Sequence, residues 1–515
     1  MKILSTDFWQ DGTNHRKVFF AAAVLWVIWW VFLTLISLEN AFVDVLENIV
    51  WGSHFSFGYD KNPYVGAWIG YGAYRLFGES LTVNYLLSYL FVATAFVCVW
   101  KLARKITNNT GIALACVLLL SMVNFYGMKA AELCDDVMEL GWWPLSVWFF
   151  YSALADEKGR WKNWLLTGLF CGISLMTKYY GVVLLASMFL VLVLTKEGRA
   201  AFRSWRIYAG GAVFLLLLLP NLLWLMGHDM VALDYAFGRA NLNALPPLSD
   251  HFRYPLRSIE RIIPVLLPPL AAFAVLFFRR DRSQPPYDPF NRTFLRIMAW
   301  GPFGFTLLFS LATGAKINYS WCLPCFFLFP LWLFAEYRPK VDAVALKRLT
   351  LLSLLLMVIF GTVFSVRSLW FQGYRKKNCD VENFPGSASA SGITEEWRTR
   401  FRIPVRYVIG GRTESSNFAV YSPDRPQAYF SANPVFSPWI DEAQLKRDGA
   451  VVLWEGRLDE MPKYIRKFPE RGFMMTPPKE ARYPRAVPAW FRKLTGKTPK
   501  DTIISYAFIP PRGKE

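Results

Sequence analysis

Two acidic segments stand out in an otherwise apolar chain. The first reads Val43-Asp-Val-Leu-Glu-Asn-Ile-Val-Trp-Gly52, so Asp44 and Glu47 are three residues apart. On a helix that spacing puts both carboxylates on one face. Phe57-Gly-Tyr59-Asp60-Lys61-Asn-Pro63 follows it closely. The second segment holds Glu132, Asp135 and Asp136, just ahead of Val137-Met-Glu-Leu-Gly-Trp-Trp-Pro144. Single cations mark further turns: Lys178 in Met176-Thr-Lys-Tyr-Tyr-Gly181, Arg239, and Lys316 in Thr313-Gly-Ala-Lys-Ile-Asn-Tyr-Ser-Trp321. A carboxylate can take the proton of an acceptor hydroxyl. Cations can hold a phosphate leaving group and its developing charge. Acids and bases gathered at one membrane surface therefore suit a reaction on an anionic lipid. Each feature also has a plainer reading. Asp44 and Glu47 suit a solvated interfacial helix with capping acids. Asp135 and Asp136 suit the N-terminal end of a helix dipole, or equally a metal or sugar hydroxyls. Lys178 suits a side chain reaching for lipid head groups.

The elements that must position these residues are membrane spans. Of 515 residues, 54% are hydrophobic and 18% charged, against about 25% charged in soluble domains. Apolar blocks cover 18–38, 81–103, 110–126, 140–155, 163–178, 181–195, 207–227, 262–278, 294–313, 319–336 and 349–367, which predicts eleven spans. Blocks of this length match what a helix needs to cross about 30 Å of hydrocarbon. Tyr64–Phe77 is apolar but short, and Arg75 interrupts it, so it reads as a re-entrant or interfacial helix. The polar opening and the length of the first apolar run argue for an uncleaved first span rather than a signal peptide.

Alternate short loops carry the positive charge: Lys101, Arg104 and Lys105; Lys158, Arg160 and Lys162; Lys196, Arg199, Arg203 and Arg206; Arg279, Arg280, Arg282 and Arg292; Arg338, Lys340, Lys347 and Arg348. Lys2, Arg16 and Lys17 fall on the same side. The positive-inside rule makes that side cytoplasmic. It places the N-terminus inside, and the acidic segments and the tail outside. The net charge of +19 is dispersed over loops and tail, with no nucleic-acid module, so nucleic acid is excluded as a partner.

The tail, 368–515, holds 25 Lys and Arg against 16 Asp and Glu. Its β-branched and aromatic runs predict strands at Val405–Ile409, Phe418–Tyr421, Ala450–Trp454 and Thr502–Ile509. Helices are expected at Glu395–Phe401 and Asp441–Arg447. The expected organisation is a membrane domain over 1–367 and a small α/β domain over 368–515. Its basic face suits either a plain soluble domain or contact with anionic head groups. Cys98, Cys116 and Cys171 read as small core residues. Cys322 and Cys325 form a C-x-x-C inside an apolar stretch, where helix packing is the better reading. A Cys134–Cys379 disulfide is conceivable from topology alone, and no Cys/His metal cluster is visible.

Several of these residues occur in an ordered set: Asp44-x-x-Glu47 with Trp51-Gly52; Gly58-Tyr59-Asp60-Lys61-Asn62-Pro63 before Ala67-Trp68; Asp136 ahead of Trp143-Pro144-Leu145; Thr177-Lys178-Tyr179-Tyr180; and Gly314-Ala315-Lys316 with Trp321 and Pro324. The tail adds Tyr407-Val-Ile-Gly-Gly411 and Phe418-Ala-Val-Tyr-Ser-Pro-Asp-Arg-Pro426. With this set the chain resembles the bacterial GT-C glycosyltransferases related to protein O-mannosyltransferases and to the lipid A aminoarabinose transferase. The likeness runs along nearly the whole chain. It implies an all-α polytopic fold of about 11–13 spans with a periplasmic α/β domain. It implies transfer of a sugar from a polyprenyl-phosphate donor to a lipid or glycan acceptor such as lipid A or lipopolysaccharide, at the bacterial inner membrane. It implies a catalytic group of Asp44, Glu47 and Asp136, with Asp44 as general base or acceptor-positioning acid. Tyr59, Asp60, Lys61, Lys178 and Lys316 fall to the donor phosphate, and Asp135 and Arg239 to the acceptor side. No cofactor is assigned, and a divalent cation is left open. Two positions depart from the pattern: relatives carry His where this chain has Asn62, and often Asn where it has Asp135-Asp136. The competing reading is a flippase of lipid-linked sugars. It calls for inverted repeats and ionisable groups at mid-membrane, whereas this sequence gathers its charges at one surface.

Overall fold

The computed structural model describes residues 7–156, 159–242, 245–281 and 287–513. Lys2, Lys158 and Arg282, used above for orientation, lie outside the described residues. The chain divides into two compact units. The first comprises Met1–Val31, Lys61–Gly66 and Tyr85–Gly361, and the second Phe32–Asp60, Ala67–Asn84 and Thr362–Glu515.

Among the described residues, six helices are long and apolar enough to cross a membrane: Gly12–Ser37, Thr82–Thr107, Trp205–Met226, Leu248–Leu276, Pro289–Thr313 and Ala343–Arg375. Two further apolar stretches are broken. Thr110–Ser121 and Asn124–Ala131 meet at 83°, and Tyr319–Phe326 and Phe329–Tyr337 at 50°. Shorter or more polar helices cover Asp135–Ala155, Arg160–Thr177 and Val182–Leu194. Each of the eleven predicted spans thus falls on helix, and two of them, 110–126 and 319–336, are bent. The final apolar helix also runs past the expected 367, ending in a π-helical turn at Arg375. The first break follows Ser121, whose hydroxyl turns back onto the Leu118 carbonyl. Helix starts are marked by side-chain caps: Asn109 accepts from the amides of Gly111 and Ile112, and Asp288 precedes Pro289 at the first helical position.

In the first unit, Arg160–Thr177 is packed between Asp135–Ala155 and Trp205–Met226. Small residues allow the second approach: a Cβ on Gly168 would lie 1.9 Å from the Gly210 carbonyl oxygen. Close backbone contact at small residues substitutes for the hydrophobic drive that lipid cannot provide.

The second unit is built on a five-stranded sheet. Its strands are β1 (Tyr407–Gly410), β2 (Gln427–Phe430), β3 (Ala450–Glu455), β4 (Lys479–Pro484) and β5 (Asp501–Ile509), in the order β2-β1-β3-β5-β4. β2, β1 and β3 are parallel, and β5 and β4 run antiparallel to their neighbours. Phe418–Tyr421, expected as a strand, is helical, as the end of Arg412–Tyr421. The reason is topological. Parallel strands cannot be joined by a tight turn and need a crossover of a dozen or so residues. The link from β1 to β2 supplies one, with Phe418, Ala419 and Val420 buried. The expected helices correspond to Gly386–Phe401 and Glu442–Asp448, with Asp441 capping the second instead of belonging to it. The helix Val43–Ser53 belongs to this unit and packs against Arg412–Tyr421. It is not a solvated helix: every residue from Val45 to Gly52 is buried. All seven cysteines are free, so no Cys134–Cys379 disulfide is present.

Candidate functional site

Among the described residues, three groups of charged side chains contain predicted site residues, one in the second unit and two in the first. In the second unit Glu47 and Asp60 are buried, with side chains 1% exposed. Both meet one cation, the Arg412 guanidinium, which donates to Glu47 Oε1 at 3.1 Å and also to Asp60 Oδ2. Asp44, one turn before Glu47, is half-buried. Tyr59 is buried, stacks on Trp51 at 5.6 Å, and donates its hydroxyl to the His54 carbonyl at 3.2 Å. His54 lies flat on Trp439 at 4.6 Å. Burial pushes its imidazole down to about 4, so it is neutral at physiological pH.

In the first unit, the helix Asp135–Ala155 carries three acids in its first turns. Asp135 is buried and accepts from the Asn62 amide at 2.5 Å. The two departures from the family pattern thus meet each other. Asp136 is paired with Lys178 at 2.5 Å, with both side chains about 15% exposed. Lys178 therefore folds back onto a carboxylate instead of reaching outward, and it also lies over the Trp321 ring at 5.9 Å. Glu139, which no sequence pattern singles out, is 1% exposed and accepts from the Ser174 hydroxyl at 2.6 Å. Behind it, Trp143 stacks on Tyr180, whose hydroxyl is 2.6 Å from Thr306 and 3.7 Å from both Cys322 and Cys325.

The second group of the first unit is basic. Arg257 and Arg261, one turn apart on Leu248–Leu276, line a small cleft of about 30 Å³ with Tyr254, Ser258, Lys316 and Ile317. Arg261 and Lys129 each lie 5.7 Å from the Tyr319 ring. Lys316 is held there by its turn: its amide donates to the Ala240 carbonyl, and Gly314 adopts φ +69°. A Cβ on Gly314 would also strike Pro246 at 2.6 Å, so this turn requires glycine. Among the described residues, Arg257, Arg261, Lys316 and Lys129 have no carboxylate partner. The short helix Tyr319–Phe326 ties the two groups together, since Tyr319 faces the basic cleft and Trp321 faces Lys178.

Of the other predicted residues, Lys61 is half-buried, and Arg239 is exposed at the end of Val231–Arg239. Arg257, Arg261, Lys129, Glu139 and Arg412 are additions from the structure. Only the Arg257/Arg261 spacing carried a sequence signal, two like charges four apart just ahead of the apolar block 262–278.

A multi-pass helical body with a small sheet domain is the architecture of the GT-C fold. The fold is that of ArnT from Cupriavidus metallidurans bound to undecaprenyl phosphate: TM-score 0.61, 13% identity, covering 96% of this chain and 98% of that one. Residues 61–224 match the family described as dolichyl-phosphate-mannose-protein mannosyltransferase. Similar proteins include the lipopolysaccharide core galacturonosyltransferases RgtB and RgtA of Rhizobium johnstonii. RgtB is 22% identical over 69% of this chain and 74% of its own length. RgtA is 22% identical over 81% and 82%. An undecaprenyl phosphate-α-4-amino-4-deoxy-L-arabinose arabinosyl transferase of Pseudomonas fluorescens is 29% identical over 36% of this chain and 34% of its own. The chain is a multi-pass protein of the bacterial inner membrane.

Proposed function

We propose that this enzyme transfers a sugar from a polyprenyl-phosphate donor to an acceptor on the periplasmic side, in lipopolysaccharide or its lipid A. The observation that carries the donor is the basic cleft. Arg257 and Arg261 are like charges one turn apart, a pairing that destabilises a helix by itself. Lys316 adds a third cation to the same cleft. An anion relieves that repulsion, and a phosphate released as a monoester gains negative charge as the glycosidic bond breaks. Cations held in advance stabilise that gain. Lys61 and Tyr59 add to the donor side, with Lys178 held ready by Asp136. Asp44 takes the acceptor proton, or positions an acceptor that is already ionised. Glu47 and Asp136 complete the acidic set, and Asp135 and Arg239 face the acceptor. The names of the relatives support lipopolysaccharide as acceptor and undecaprenyl phosphate as carrier. The charge bias of the loops supports a cytoplasmic N-terminus and a periplasmic sheet domain.

The test is transfer of radiolabelled sugar from a panel of polyprenyl-phosphate sugars to envelope lipid, by the purified protein in nanodiscs. Wild type is expected to transfer label from one donor class. Asp44→Asn is expected to lower kcat by about 10²–10⁴-fold, the range for loss of a general base. Movement of labelled lipid across the bilayer, with no transfer from any donor, would refute the proposal.

A further inference from the structure

Arg412 is out of place by every local rule. It opens the helix Arg412–Tyr421, where the dipole disfavours a cation. It sits among aromatic rings, 5.9 Å from Trp51, 5.3 Å from Phe430 and 5.2 Å from Phe436, with its side chain 24% exposed. Two buried carboxylates offset that placement, Glu47 and Asp60, and taking a cation away from a buried acid is costly. A guanidinium is the one side chain that can donate to both at once from a fixed plane. Burial works against its charge, yet the two acids outweigh burial and raise its already high pKa. Glu47 and Asp60 come from separate segments, a helix and the turn at 57–63. Arg412 therefore fixes one against the other.

We infer that Arg412 is a positioning residue for transfer: it holds the Glu47 and Asp60 carboxylates against each other in the orientation that transfer requires. The inference rests on the proposed roles of Glu47 and Asp60. Arg412 itself touches no reacting atom.

The experiment uses the full chain in nanodiscs, comparing wild type with Arg412→Ala, Arg412→Gln and Arg412→Lys. Kinetics are read with the preferred donor, and hydrogen–deuterium exchange is read over residues 54–64. The alanine and glutamine variants are expected to raise donor KM about tenfold or more, on the scale of one charge-assisted hydrogen bond, while kcat changes much less. Lysine restores charge but not the double contact, so it is expected to recover KM in part. Exchange over 54–64 is expected to quicken in the alanine variant and to stay near wild type in the lysine variant. A merely structural role predicts the opposite split: fewer active molecules, so a lower apparent kcat with KM unchanged. That split, or unaltered exchange over 54–64, overturns the inference. If Arg412→Ala does not fold, the lysine and glutamine variants decide by the same two readings. If wild type transfers from no donor, the function proposed above fails, and the exchange measurement still decides whether Arg412 orders the turn.

Discussion

The acids of the second unit and the bases of the first are handled in opposite ways. Glu47 and Asp60 are buried and share a guanidinium from their own unit. Arg257, Arg261 and Lys316 surround a cleft in the first unit and are paired with no carboxylate among the described residues. A buried charge without a partner is costly, so the fold supplies one where it closes over the group. An open charge costs little and can wait for a ligand. Paired charges therefore mark what the protein holds still, and unpaired ones mark what it holds ready. Lys178 tests the distinction within the first unit, because its proposed role is that of the basic cleft and yet it is bound to Asp136.

The contrast breaks most sharply at Lys178. Lys178→Met leaves Asp136 partly buried without its cation, and is expected to cost about 3–5 kcal/mol of stability. Adding Asp136→Asn should recover most of that loss. Thermal unfolding in detergent checks both. A single variant as stable as wild type would place Lys178 with the waiting cations instead.

A pH effect comes next in size and belongs to the second unit. His54 titrates near 4 in the folded state, below its ordinary value of 6.5. As pH falls, the unfolded chain takes the proton first, so stability drops from pH 6.5 toward 4 and levels off below. A tenfold change in proton affinity corresponds to about 1.36 kcal/mol, so the loss is at most about 3.4 kcal/mol. His54→Gln should flatten this part of the profile when melting is followed at pH 7, 6 and 5.

Arg261→Gln sharpens the comparison from the other side. It removes a cation that no carboxylate leans on, so melting should hardly move. Donor KM should rise by about 10–100-fold, the scale of one hydrogen bond to a charged group. Arg406→Ala gives the smallest effect. Its ion pair with Asp448 is 62% exposed on the arginine side, and such pairs contribute about 0.2–1 kcal/mol. Melting should shift by no more than that, with transfer unchanged.

The parts legible in the sequence are those written in local composition. Apolar runs located the helices because each residue facing lipid must be apolar wherever its neighbours are. Asp44, Glu47, Asp60 and Lys178 stood out because charge is rare in such a chain. What the runs could not show was the 83° break after Ser121, since the apolar block continues past it through Met122, Val123 and Phe125. Phe418–Tyr421 looked like a strand for its side chains, but the decision lay in the pairing of β1 with β2, sixteen residues ahead. Partners were least legible of all. Asp136 and Lys178 are 42 residues apart, and Arg412 and Asp60 are 352 apart. Arg412 directly follows the Tyr407–Gly411 segment, yet nothing in that segment shows that it pairs with Glu47 and Asp60.

That separation of 352 residues is also an interval of time. At about 5–20 residues per second, ribosomal synthesis delivers Arg412 on the order of 20–70 s after Asp60. Throughout that interval Glu47 and Asp60 have no cation from the tail to receive them. Their pairing with Arg412 forms only once the first crossover of the sheet emerges. β5, which lies between β3 and β4, comes later still. The second unit is thus assembled from segments made early and late, and its early segments mature only once the sheet strands have been synthesised.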